Sequence, residues 1–204
     1  MNLITPTKVL PTREGQARNE EVFRTAAKLM SERGYAGTSM GDLADAVGMT
    51  KAGLYHHIKS KQDMLFQILQ FAMETLEREV IEPTRDLPDA EERLREMIRR
   101  HVRGLFEHGL QFTLLFPERR HLEPAQREAI SKRLDAYLCL IRNAMRELRN
   151  EGKLQVLDIE VAANHILQTV AGIARWHPER SDVAEDVLLE QTVKFNLSAI
   201  LKAS

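Results

Sequence analysis

Thr50, Lys51, Tyr55, His56 and Lys61 place hydroxyl, ammonium, phenol and imidazole groups within twelve residues of one another. These groups share one kind of chemistry, donating hydrogen bonds to phosphate oxygens, and Lys51 can also donate to a guanine edge. The small residues Ala52 and Gly53 lie between them and let a backbone come close to a polyanion. Taken singly, each residue fits a solvated helical hairpin with ordinary surface lysines. Their order and spacing point to a nucleic acid.

Two short helices must position these groups. Ser39 is placed to cap the first, with Asp42 three residues on completing an aspartate version of the capping box, and Met40, Leu43, Ala44 and Val47 form its apolar face. Gly48 follows where the chain needs positive φ, and Thr50 is placed to cap a second helix over Lys51–His57. Helices joined by so tight a turn cross steeply, as in a helix-turn-helix, whose second helix enters the major groove. Lys51, Ala52, Gly53, Tyr55 and His56 then lie on or beside the reading face, while Leu54 and Ile58 point into the core. Ser60 and Asp63 repeat the capping pattern, so backbone amides there, flanked by Lys59 and Lys61, could also face a phosphate.

The chain has 204 residues, of which 43% are hydrophobic and 29% charged, an ordinary globular composition. Its net charge of -1 makes no general case for nucleic acid. The charge is uneven, however: residues 1–64 carry nine basic against seven acidic residues, and the rest carries 20 against 23. Cys139 is the single cysteine, so no internal disulfide forms, and its helical setting suggests a buried, inert thiol in a reducing cytoplasm. No apolar run approaches the roughly 18 to 20 residues of a membrane span, and the first residues do not read as a secretion leader.

Helical periodicity organises the whole chain. Residues 1–16, with Pro6, Pro11 and Gly15, read as a flexible arm whose Lys8 and Arg13 could reach a minor groove. Residues 18–33 read as a helix through Val22, Phe23, Ala26, Ala27, Leu29 and Met30, which completes a three-helix head over residues 17–63. A stripe from Met64 to Val80 marks a long helix that Pro83 and Pro88 should close. Further helical patterns run from residue 93 to near His108-Gly109, over residues 110–116, from residue 125 to an end at Gly152, from a cap at Asp158 to Trp176, and over residues 183–202. No strand pattern interrupts them, so the expected fold is all-α, a helix-turn-helix head joined by a long helix to a helical body over residues 64–204.

The run Glu32-Arg33-Gly34-Tyr35-Ala36-Gly37-Thr38 and the ending Gly53-Leu54-Tyr55-His56-His57-Ile58-Lys59-Ser60-Lys61 resemble the tetracycline-repressor (TetR) family of transcriptional regulators. The resemblance covers residues 17–69, with His57 standing where an aromatic ring is more usual. It implies a homodimeric repressor on a double-stranded operator, with Ser39, Thr50, Lys51, Ala52, Gly53, Tyr55, His56 and Lys61 at the DNA. It also implies a dimer through the last two helices and an effector pocket among the middle ones. Met97, His101, Leu105, Phe112, Phe116, Tyr137, Ile141 and Trp176 are the candidate effector residues, although apolar residues at helical spacing more often build plain core. Arg175-Trp176-His177-Pro178 resembles a stretch found in family members that respond to acyl-coenzyme A thioesters, and Arg119 or Arg120 near a pocket mouth could receive the anionic phosphates of such an effector. A hydrophobic or aromatic compound is the other effector class. A helical small-molecule-binding or protein-interaction module without sequence-specific DNA binding is the alternative function.

Neither catalysis nor metal binding is expected. The chain lacks a glycine-rich phosphate loop, a nucleophile elbow and a paired-histidine metalloprotease motif, and no cofactor is implied. His101 and His108 share a helix face, but two turns hold them about 10 Å apart, too far for one ion.

Overall fold

The computed structural model describes residues 13–108, 111–114, 118–155, 158–176 and 183–202. The head comprises α1 (Arg13–Arg33), α2 (Met40–Ala46) and α3 (Lys51–His57). Helix α4 (Lys61–Leu76) leads through a π-helical turn, Glu77–Ile81, into the single turn α5 (Glu82–Thr84). The body holds α6 (Ala90–His108), α7 (Gln111–Leu114), a 3-10 turn at Glu118–His121, α8 (Pro124–Asn150), α9 (Ile159–Trp176) and α10 (Glu185–Ile200). Among the described residues there is no strand, only an isolated antiparallel bridge between Leu154 and Leu201.

Helix α1 begins five residues ahead of the expected start, and so takes in Arg13 to Gln16 from the segment read as an arm. The apolar stripe starts only at Val22, so the first two turns carry no periodic signal, although Arg, Glu, Gln and Ala are good helix formers. Pro83 does not end the long helix either. It stands in the first turn of α5, where a missing N–H removes little, and the π turn has already re-spaced the backbone. At the far end Leu201 and Lys202 leave the helix. Lys202 N–H donates to the Lys153 carbonyl at 2.8 Å and Gln155 N–H to the Ile200 carbonyl at 2.9 Å, stitching the last residues to the link between α8 and α9.

One continuous core runs through head and body. Ala26, Met30, Leu43 and Leu54 bury the inner faces of the head, and Met64, Leu65, Ile68, Leu69, Ala72, Met73, Leu76 and Val80 form an unbroken buried stripe from α4 into the π turn. The head therefore packs on the same helix that the body packs on. Helix α4 lies against α1 on one side and α8 on the other, while α6 is the body's centre, flanked by α8, α9 and α10. Each fully buried Leu, Ile or Met contributes about 1.5 to 3 kcal/mol, so this shared stripe resists separation of the two parts.

Candidate nucleic-acid interface and effector site

The head is built by its caps. Asp42 N–H donates to Ser39 Oγ at 3.1 Å while Ser39 N–H donates to Asp42 Oδ2 at 2.8 Å, a reciprocal capping box that also holds the Asp42 carboxyl below its ordinary range through the Ser39 hydrogen bonds. Gly48 ends α2 at φ 68°, a backbone state that other L-residues avoid. Gly53 N–H donates to Thr50 Oγ1 at 3.0 Å, starting α3. A Cβ at Gly53 would itself lie 3.0 Å from Thr50 Oγ1, so glycine here makes room for the cap as well as for a ligand.

Helix α3 turns Leu54 inward, with Ile58 just beyond its end, and leaves Lys51, Ala52, Tyr55, His56 and His57 exposed. Tyr55 keeps 45% of its surface open, which is unusual for a large ring. His57 does not fill a corner of the core as an aromatic ring would. It is exposed and meets the His56 ring edge-on, with centroids 5.1 Å apart. Ser60 caps α4 by accepting from Asp63 N–H at 3.0 Å, and Asp63 in turn accepts from Lys59 N–H at 2.8 Å.

Lys61 has a role that its spacing does not reveal. Its Nζ donates to the Tyr35 carbonyl at 2.8 Å and sits 4.4 Å from the centre of the Tyr35 ring, tying the turn after α1 to the start of α4. The other side of this knot belongs to the body: the His121 ring stacks on Tyr35 at 4.5 Å, and Gln62 Nε2 donates to the His121 carbonyl at 2.9 Å. Burial, and after it the nearby Glu118 carboxylate, raise the Tyr35 phenol above its ordinary pKa. Tyr35 stands in the run that carries the family resemblance, but nothing local pairs it with Gln62 or His121, because their meeting depends on how α4 and the 3-10 turn pack.

In the body, Met97, His101, Leu105, Tyr137 and Ile141 are all buried on α6 and α8. His101 Nδ1 and the Tyr137 hydroxyl are 3.1 Å apart, with the rings edge-on. Burial lowers the His101 pKa to about 4, so the imidazole is neutral at pH 7, and the same burial pushes the Tyr137 phenol up. The side chains of Phe112 and Trp176 and all of Phe116 lie outside the described residues, as do His177 and Pro178. Gln111, missed in the sequence, is buried with both amide atoms lacking a hydrogen-bond partner. An amide left in this state costs roughly 1 to 3 kcal/mol, which a ligand's polar group could offset.

Cys139 is exposed, not buried as expected, because it falls on the outer face of α8 between the inward Leu138 and Ile141. The apolar faces of α9 and α10 divide as well. Ala163, Ile166, Val170, Ile173 and Leu188 are buried within the chain, whereas Val161, Val187 and Phe195 are 52%, 51% and 64% exposed. Val161, Ala162, His165, Thr169, Phe195 and Ala199 contribute to an open groove of about 520 Å³ between the two helices.

Comparison with known proteins follows the same division. Residues 22–68 match "Bacterial regulatory proteins, tetR family", and residues 88–200 match "Tetracyclin repressor-like, C-terminal domain". The HTH-type transcriptional repressor KstR2 of Rhodococcus jostii (strain RHA1) is 24% identical over 206 residues, covering 97% of this chain and 98% of that protein. The structure of AibR in complex with isovaleryl coenzyme A and operator DNA is 30% identical, with a TM-score of 0.78 over 87% of this chain and 97% of that one. The ketosteroid transcriptional regulator KstR2 of Mycobacterium tuberculosis has the same fold, with a TM-score of 0.82 over 96% of this chain at 22% identity. The capped helix-turn-helix pair is thus matched together with a C-terminal domain that spans more than half of the sequence, and the chain belongs to the tetracycline-repressor (TetR) family of transcriptional regulators.

Proposed function

We propose that the protein is a homodimeric, ligand-responsive repressor that sets two copies of α3 into successive major grooves and leaves its operator when a small effector binds the body. One observation carries this reading: among the described residues, the large apolar side chains left most exposed are Tyr55 on α3 and Val161, Val187 and Phe195 on or beside the paired faces of α9 and α10. A single head binds a half-site weakly, and two heads about 34 to 36 Å apart read a two-fold site. Tyr55 would meet DNA, and the other three a second copy of the chain.

At the DNA, Lys51 reads a base edge or phosphate, Ala52 and Gly53 permit close approach, and Tyr55 and His56 donate to phosphates, with Ser39, Thr50 and Lys61 holding or extending that surface. The effector site comprises Met97, His101, Leu105, Tyr137 and Ile141 together with Phe112, Phe116 and Trp176, with Gln111 as a hydrogen-bonding handle. An acyl-coenzyme A thioester is the favoured effector, because AibR is known in complex with one, and its carbonyl suits the Gln111 amide. A hydrophobic or aromatic compound is the second class. The protein would act in the cytoplasm, and no described helix is long and apolar enough to cross a membrane.

An effector that prefers the DNA-incompetent conformation weakens operator binding by its differential affinity, and coupling of about 1 to 3 kcal/mol corresponds to roughly 5- to 150-fold. The test is binding to DNA flanking the protein's own gene over a salt series, with unrelated DNA as competitor, followed by titration with isovaleryl coenzyme A. Tight, competitor-resistant binding that the thioester weakens supports the reading. Binding that stays weak and equally salt-sensitive on every DNA counts against an operator there.

A further inference from the structure

His108 closes α6, where the unpaired carbonyl ends of the helix favour a cation. Its ring is surrounded by carboxylates from three elements. Nε2 lies 2.8 Å from Glu79 Oε2, in the π turn after α4, and 4.0 Å from Glu107 Oε2. Nδ1 lies 3.5 Å from Glu20 Oε1 on α1, and is buried without a hydrogen-bond partner. A neutral imidazole has one N–H, so it cannot satisfy carboxylates at both nitrogens. Two arrangements resolve this: a doubly protonated ring bridging Glu79 and Glu20, or a cation on the Nε2 side with the Nδ1–H donated to Glu20.

Glu107 separates the two. A proton on Nε2 satisfies Glu79 alone and leaves the exposed Glu107 carboxylate, 4.0 Å away, to solvent. A divalent ion gathers both carboxylates and Nε2, and one ligand atom from each of Glu79, Glu107 and His108 already lies within 4.8 Å of the others. Metal to ligand distances of about 2.0 to 2.2 Å require a modest further approach, which the exposed Glu107 side chain can make. Arg78 holds the opposite oxygen of Glu79 at 2.9 Å and leaves Oε2 open, while Arg24 pairs with Glu20 Oε1 at 3.1 Å. Three carboxylates thus face two arginines. A carboxylate on the second ring nitrogen is also the usual outer support of a metal-bound histidine.

The geometry points to a binding site for one divalent first-row transition cation, of the Zn²⁺ or Mn²⁺ type, ligated by His108 Nε2, Glu79 and Glu107 and supported by Glu20. An imidazole among carboxylates favours such ions over Mg²⁺, which keeps oxygen ligands and several waters. Helical spacing could not show the site, because its residues meet only where α1, the end of α4 and the end of α6 converge. Glu20 belongs to the head and the three ligands to the body, so an occupied site ties α1 to the elements that carry the effector's influence.

The full chain, freed of metal with a chelator, is titrated calorimetrically and melted with ZnCl2, MnCl2 or MgCl2 in the absence of DNA, so the result does not depend on the operator reading. Expected is one saturable Zn²⁺ or Mn²⁺ per chain and a melting midpoint raised by about 5 °C or more at roughly hundredfold excess over the dissociation constant, with little response to Mg²⁺. Glu107→Gln, at an exposed position that leaves the fold intact, should weaken binding about tenfold or more, His108→Gln should abolish it, and Glu20→Gln should weaken it about 10- to 100-fold. No saturable binding in the wild type would overturn the proposal. So would binding that is equal in the wild type, Glu107→Gln and His108→Gln, or a midpoint that depends on His108 and pH but on no cation, the signature of a bridging imidazolium alone.

Discussion

Polar side chains cap helices in both the head and the body, but the body adds contacts between elements far apart in the chain. In the head the Ser39, Thr50 and Ser60 hydroxyls each accept from a backbone amide three residues ahead, and the side chains left over, Lys51, Tyr55 and His56, face solvent. In the body and at its junction with the head, polar groups find partners far along the chain: His101 meets Tyr137 36 residues away, and Gln62 meets the His121 carbonyl 59 residues away. Short-range bonds fix the local geometry of the head, although its core continues into α4 and the body. Long-range bonds, of which the His101–Tyr137 contact is buried, couple elements that are far apart in the chain, so a change at one partner is felt by the other.

The sharpest way to break this comparison is at the outer face of the body. Phe195→Asp places a charge on a side chain that the single chain already exposes, so the subunit should keep its fold, while a desolvated charge in the proposed interface should weaken dimerisation by about 100-fold or more. Sedimentation velocity at micromolar concentration should show monomers in the variant and dimers in the wild type. Persistent dimers would move the interface elsewhere.

The buried polar pair predicts the next largest effect. His101 titrates near 4 in the folded chain and near 6.5 when unfolded, so between these values the unfolded chain binds the extra proton. Stability therefore falls as pH drops through this window, by on the order of 2 kcal/mol from pH 7 to pH 5. Denaturant melts of the wild type and His101→Gln at the two pH values isolate this contribution, which the variant should lack. In the head, Tyr55→Ala should reduce operator affinity about tenfold with an unchanged melting midpoint. An unchanged affinity would remove Tyr55 from the reading surface. The smallest effect sharpens the contrast: Thr50→Ala should cost about 1 kcal/mol of stability, measured by urea titration, with no change in the body's pH response.

Cys139 shows where a sequence reading fails, and Lys61 shows what it leaves out. Cys139, expected to be buried, is turned to the surface of α8, and Lys61 gains a contact with the Tyr35 carbonyl and ring that no local pattern records. In each case the local period was read correctly as helix, but the neighbour that meets that face comes from another element. The division of α9 and α10 into faces buried within the chain and faces left open has the same cause.

The sequence by itself determined the succession of the main helices though not all their ends, their caps at Ser39, Thr50, Ser60 and Asp158, the turn at Gly48 and the outward face of α3, because bonds over three or four residues and a 3.6-residue apolar period are written locally. Only the tertiary structure decided that His101 meets Tyr137, that Gln111 is buried without partners, that Tyr35 is held between Lys61 and His121, and that Glu20, Glu79, Glu107 and His108 converge. Those meetings depend on the crossing of whole helices, which the summed burial of many side chains sets and no short motif records.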